Sequence, residues 1–151
     1  MCDLSLKKGD YRFFEFAKRE AEKSTFPRFH VGCVIVYNGY VVSAGCNSEK
    51  SAPIQKRYNR YRHFNNFESH KPINDAIHAE IQALKTIPYP VAQQIDWKKV
   101  KVYVYRISPG HNGKRGMSRS CPACMEYIRS FGIRDLYYST DGGFAHERLE
   151  Y

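Results

Sequence analysis

The sequence predicts an α/β fold, with helices packed on the faces of a central sheet of about five strands. Three observations carry this. Amphipathic helical stretches alternate with β-branched runs, the order along the chain is α-β-β-α-β-α-β with a short final strand, and no repeat or linker interrupts it. At 151 residues the chain is long enough to bury a core without disulfide staples, as a single domain over residues 1–151.

Each element has its own signal. Residues 10–24 read as a helix, because Phe13, Phe14, Phe16, Ala17 and Ala21 form an apolar stripe while Lys18, Arg19, Glu20 and Lys23 fall mostly opposite. Ser24-Thr25-Phe26-Pro27 stops it. Residues 30–37 are a nearly unbroken apolar, β-branched run, the pattern of a strand covered on both faces. Asn38-Gly39 is a two-residue hairpin signal, and residues 40–45 are the return strand.

Residues 49–74 make a long excursion. Tyr58, Tyr61, Phe64 and Phe67 recur there every three residues, which predicts a helical turn or two with an aromatic face. Those rings read either as packing surface for the core or a partner subunit, or as stacking surfaces for bases among Arg57, Arg60 and Arg62. Residues 75–87 read as a helix capped by Asn74 or Asp75, with Ile77, Ile81 and Leu84 as its buried stripe and Pro88 and Pro90 ending it. Residues 100–107 form a third strand, followed by a Gly-rich loop over 109–120. The next helix begins near Cys121 and ends before Gly132. Residues 136–140 form a fourth strand, Asp141-Gly142-Gly143 a turn, and residues 144–149 a short fifth strand.

Composition narrows the class. With 42% hydrophobic and 15% aromatic residues the chain is not a disordered one. No apolar run approaches the roughly 18–20 residues that cross a bilayer, and the first residues lack the apolar stretch of a secretory signal, so no membrane association and a cytoplasmic protein are expected. The five cysteines, Cys2, Cys33, Cys46, Cys121 and Cys124, are an odd number, which argues against a disulfide framework. Cys33 and Cys46 lie in strand-like stretches and are expected to be buried packing residues. The formal charge is +9, of which residues 49–74 supply +4 and residues 108–120 supply +3. Basic residues gathered in this way suit an anionic ligand, a nucleotide phosphate or a nucleic acid.

Two short strings carry the chemistry. His78-Ala79-Glu80 opens one predicted helix and Cys121-Pro122-Ala123-Cys124 opens another. One imidazole and two thiolates make three ligands, and a tetrahedral zinc with three protein ligands keeps its fourth position for water. Cys121 suits an N-cap, Pro122 then occupies the first helical position, and the helix N-terminus favours thiolate. Glu80 falls on the apolar stripe between Leu84 and Ile87, where a carboxylate needs a partner or a function, and Ile77 rules out a capping box. Burial there should raise its pKa toward neutrality, as suits a proton shuttle. A thioredoxin-like dithiol would leave His78-Ala79-Glu80 unexplained. A closed structural zinc would need a fourth ligand from Cys33, Cys46, His111 or His146, none of which has ligand spacing to either string.

These strings resemble the zinc-dependent cytidine and deoxycytidylate deaminase superfamily, whose pattern is H-x-E followed by P-C-x-x-C. The resemblance implies a three-layer α/β/α cytidine-deaminase-like fold around a central mixed sheet. It implies Zn2+ held by His78, Cys121 and Cys124, and Glu80 as the catalytic proton carrier in a hydrolysis that releases ammonia. It places the Ala79 N–H where the family reads the base, and Asn47 as a sugar contact, although Asn47 also suits an ordinary turn. One departure is visible. Ser120 stands where the family usually has proline before the first cysteine, and a serine there can cap the helix.

The expected substrate is a cytosine nucleoside or nucleotide, with a monophosphate favoured and Lys114, Arg115 and Arg119 as phosphate contacts. A homo-oligomer is expected. Two rivals remain at this level: a deaminase of single-stranded DNA or RNA, and a non-enzymatic zinc module that binds nucleic acid or protein.

Overall fold

The computed structural model describes residues 6–63, 75–109 and 113–150. Helix α1 (Lys8–Glu22) starts two residues before the apolar stripe requires, because the Lys7 backbone N–H donates to Asp10 Oδ2 at 2.8 Å and closes the first turn. Strands β1 (His30–Tyr37) and β2 (Tyr40–Cys46) form the expected hairpin, turning at Asn38 and Gly39, both at positive φ. Two short helices follow, α2 (Pro53–Tyr58) and α3 (Arg60–His63). Helix α4 (Ala79–Lys85), the four-residue α5 (Tyr89–Ala92) and a 3-10 turn at Trp97–Lys99 lead to β3 (Lys101–Ser108). Strand β4 (Lys114–Gly116), helix α6 (Pro122–Ser130), β5 (Asp135–Ser139) and β6 (Phe144–Arg148) complete the chain.

The spatial strand order is β2-β1-β3-β5-β6, with β4 paired to the outer end of β3. β3 and β5 run parallel and the other pairs antiparallel, so the sheet is mixed. Strand periodicity assigns the two faces. Val34, Val36, Tyr103, Tyr105 and Tyr137 pack with Phe13, Phe14 and Ala17 of α1. Cys33, Ile35, Val102, Val104, Leu136 and Tyr138 pack on the other side with Ile81, Leu84, Cys124 and Ile128 of α4 and α6. That is three layers, with α4 and α6 side by side on one face. Burying a side chain such as Ile81, fully hidden here, stabilises by about 1.5–3 kcal/mol.

Gly32 decides how closely α1 can approach. A Cβ on it would lie 2.1 Å from the Ala17 carbonyl oxygen and 2.3 Å from the Ala21 nitrogen, both backbone atoms of α1. Gly32→Ala must therefore lift a helix off the sheet, an overpacking cost of about 3 kcal/mol. Thermal unfolding should show Tm lowered by roughly 6–12 °C for a chain of this size. A Tm within two degrees or so of the parent would mean that the helix and sheet are not seated this way.

Two expectations are corrected. The helix expected over 75–87 begins only at Ala79, with His78 as its N-cap. Asn74 lies outside the described residues, and Asp75 does not cap. Residues 75–77 are extended instead and pair with the start of the excursion: Ala52 N donates to the Asp75 carbonyl at 3.4 Å and Ile77 N to the Lys50 carbonyl at 2.9 Å. These bonds to a distant segment outcompete a first helical turn. The loop expected over 109–120 contains β4, held to β3 at Arg106, Ile107 and Ser108.

Candidate active site and metal centre

The two chemical strings meet because each opens a helix on the same face of the sheet. His78 is the N-cap of α4 and Cys121 the N-cap of α6, with Pro122 at the first helical position. The His78 side chain makes no capping bond to α4, while the Cys121 sulfur is hydrogen-bonded to Cys124 in the first turn of α6, so the imidazole and both sulfurs face one another. His78 Nδ1 lies 3.3 Å from Cys124 Sγ and 3.5 Å from Cys121 Sγ. The three ligand atoms all fall within 4.8 Å of one another. Zinc with Zn–N near 2.0–2.1 Å and Zn–S near 2.3 Å requires a tetrahedral N···S edge of roughly 3.5 Å, so the donor set fits the metal. Among the described residues no fourth His, Cys, Asp or Glu joins the group.

The other donors considered for a closed site lie elsewhere. Cys33 is in the core, and Cys46 is half-buried, more exposed than expected. His146 sits on β6, stacked on Tyr137 and 2.8 Å from Asp135 Oδ1. His111 lies outside the described residues.

The electrostatics suit metal binding. The Cys124 hydrogen bond, with His78 beside it, holds the Cys121 thiol down to about 4. Burial pushes Cys124 well above its ordinary value. Thiolate is the form that binds zinc, so metal binding displaces any proton held on these sulfurs. Glu80 is 4% exposed, and burial raises its carboxyl above the usual carboxylate range, against the opposing influence of His78 and a hydrogen bond from Ser120. Ser120 does not cap α6. Cys121 takes that position, and the Ser120 hydroxyl donates to Glu80 Oε2 at 2.8 Å.

A cavity of about 230 Å3 opens beside this group, lined by Phe29, Val31, Asn47, Ala79, Glu80, Arg62 and Arg106, with Arg119 at its edge. Ala79 is the first residue of α4, so its N–H has no intrahelical acceptor. Asn47 is buried, and its amide is largely committed to protein. Oδ1 accepts from Ser24 Oγ at 2.6 Å and Val31 N at 2.9 Å, and Nδ2 donates to the Phe29 carbonyl at 3.1 Å. One amide hydrogen is left. Lys114 and Arg115 are on β4 and do not line the cavity. Arg115 Nε donates to the Thr140 carbonyl and its guanidinium covers Phe144. Arg119 lines the cavity but forks onto Glu147 at 2.8 and 2.9 Å.

Three residues escaped the sequence reading, and a fourth, Arg62, entered it only as a basic neighbour of the aromatic series. Gln55 is fully buried; its Oε1 accepts from His78 N at 3.0 Å and its Nε2 donates to Asn59 Oδ1 at 2.8 Å. Asn59 in turn donates to Asp75 Oδ1 at 3.0 Å, so the excursion braces the metal-ligand segment from behind. Two amides four residues apart on a helical stretch were the available signal. Arg106 continues the inward series Val102, Val104, and an arginine in that register was a legible anomaly. Arg62 was marked only by its place among the aromatic residues of the excursion. It lies 3.5 Å from His78 Nε2, a nitrogen that carries a proton when Nδ1 holds a metal and so accepts nothing from a guanidinium. Of the aromatic series, Tyr58 packs edge-on against Tyr127 of α6 and close to Tyr61, while Phe64 and Phe67 lie outside the described residues.

Among solved structures, the chain is similar to the dCMP deaminase of cyanophage S-TIM5 in its apo form, at 18% identity and TM-score 0.52 over 88% of this chain and 84% of that one. It is similar to the same enzyme in complex with dCMP and dUMP, at 16% identity and TM-score 0.53 over 89% and 83%. Those likenesses show the fold. No curated protein sequence matches the chain. The family model for the cytidine and deoxycytidylate deaminase zinc-binding region matches residues 7–140. A match of that extent, over a chain whose imidazole and two thiols stand at zinc-binding distances, makes this protein a zinc-dependent member of the cytidine and deoxycytidylate deaminase family.

Proposed function

We propose that the protein hydrolytically deaminates a cytosine nucleoside 5′-monophosphate. The observation that supports the phosphate is the pair Arg62 and Arg106 in the cavity beside the metal ligands. Arg106 stacks its guanidinium 4.5 Å over Phe29, and its buried Nε has no hydrogen-bond partner among the described residues. A planar fork held on an aromatic face suits a phosphate. In this reading the phosphate contacts expected at Lys114, Arg115 and Arg119 pass to Arg62 and Arg106, because Arg119 is paired with Glu147 and the other two are not among the residues that line the cavity. The dCMP and dUMP bound by the S-TIM5 enzyme are consistent with such a substrate.

In this reading His78, Cys121 and Cys124 hold the zinc, which supplies an activated water at neutral pH. Glu80 takes one proton from the attacking water and delivers it to the ring nitrogen, then carries a second proton from the new C4 hydroxyl to the departing amine. The C4–N bond breaks, a C4–O bond forms and ammonia leaves. The Ala79 N–H and the remaining Asn47 amide hydrogen orient the base and sugar, while Phe29 and Val31 exclude water. All four described cysteines are free, and thiolate ligands suit a reducing compartment, consistent with a cytoplasmic protein. Among the described residues no helix is long and apolar enough to cross a membrane. The expected homo-oligomer has support in the edge strand β2, which exposes Tyr40 and Val41.

The test is ammonia release from zinc-loaded protein with dCMP, CMP, deoxycytidine, cytidine, dCTP and a short single-stranded oligonucleotide. Monophosphates should be preferred. Arg106→Ala should lower kcat/KM for the monophosphate by about 10–100-fold, the loss of one charge-assisted bidentate contact, and leave the nucleoside rate unchanged. Preference for the oligonucleotide, with binding that weakens steeply in salt, would transfer the assignment to a polynucleotide deaminase.

A further inference from the structure

Ser120 stands where the family resemblance leads one to expect proline. Its side chain is not spent on the helix it precedes. The residue is 4% exposed, and its hydroxyl donates to Glu80 Oε2 across 40 residues of sequence. Among the described residues, Ser120 is the only side chain that hydrogen-bonds the Glu80 carboxylate. Glutamate has three side-chain torsions. With one oxygen held, the carboxylate keeps a single orientation and Oε1 is the oxygen left for proton transfer. Ser120 is also bonded in sequence to Cys121, the N-cap of α6, so the metal ligand and the proton carrier are registered to each other through one peptide unit.

We propose that Ser120 is a positioning residue that fixes the Glu80 carboxylate for proton transfer, a role a prolyl ring has no donor to fill. The proposal rests on the reading of Glu80 as proton carrier. A misplacement of about 1 Å in a reacting group can cost on the order of 100-fold, so losing this contact should lower kcat by about tenfold or more.

Two matched pairs isolate the hydroxyl: the parent against Ser120→Ala, and Ser120→Thr against Ser120→Val, which share a shape. For each, kcat and KM are measured on the best substrate of the panel, together with bound zinc by metal analysis and Kd for the deaminated product. The hydroxyl-bearing members should stay within about threefold of each other in kcat, and the hydroxyl-free members should fall about tenfold or more. KM, product Kd and zinc content should stay within about twofold throughout, because the hydroxyl bonds Glu80 and Ser120 is not among the residues that line the cavity. Equal kcat within each pair overturns the proposal, as does a loss that disappears when rates are normalised to bound zinc. If one pair does not fold, the other decides. A parent that deaminates no cytosine compound sinks the proposed function and this inference together. An active parent with equal rates within the pairs sinks this inference alone.

Discussion

Glu80→Gln is expected to lower kcat by at least about 10³-fold while zinc stays bound, because in the proposed reaction one carboxylate serves both proton transfers. The physical case lies in its surroundings. Burial raises the Glu80 carboxyl, and the hydrogen bond from Ser120 and the neighbouring His78 temper that rise. A carboxyl raised by burial retains a proton it has taken more readily than an ordinary carboxylate would, as a proton carrier requires. Glutamine keeps the shape and can still accept from Ser120, yet it cannot carry a proton. The three metal ligands are untouched, so metal analysis should find the same zinc content as in the parent. Turnover above about a tenth of the parent's would remove Glu80 from the chemistry.

Stripping the zinc with a chelator should abolish activity and also lower thermal stability, and restoring zinc alone should reverse both. The centre is built into the fold: Cys124 is fully buried and packs with the core on the α4–α6 face. A ligand that binds only the folded state at about 1,000 times its Kd stabilises by roughly 4 kcal/mol. For a chain of this size that corresponds to a Tm difference of about 8–16 °C. Cys124→Ser should reproduce the stripped state without responding to added zinc. Full activity after exhaustive chelation, with no zinc detected, would end the assignment of the centre.

The site was legible in the sequence where its chemistry is local. His78, Glu80, Cys121 and Cys124 announce themselves through residue type, three-residue spacing and helix-start position. Glu80 was conspicuous because a carboxylate on an apolar stripe contradicts its own helix, and the structure indeed buries it. The hairpin was legible at Asn38-Gly39, whose turn geometry is a property of two residues. The start of α4 was not. Its residues 75–77 make backbone hydrogen bonds with residues 48–52, and no local propensity records a partner so far along the chain. The proposed phosphate contacts differ from the expected ones for a related reason. Lys114, Arg115 and Arg119 are basic and near Cys121 in sequence, but charge counted along a chain does not say which guanidinium is already paired.

By itself, then, the amino-acid order determined the layer architecture, the ligand set and the buried carboxylate, because hydrophobic period, helix caps and ligand type are short-range properties. Tertiary structure alone decided that α4 and α6 present their first residues to a common point, that Arg62 and Arg106 line the cavity while Arg119 is held by Glu147, and that Ser120 bonds Glu80 rather than its own helix. Each of those is a pairing between residues far apart in the chain. Which partner wins is set by the geometry of packed helices on a sheet.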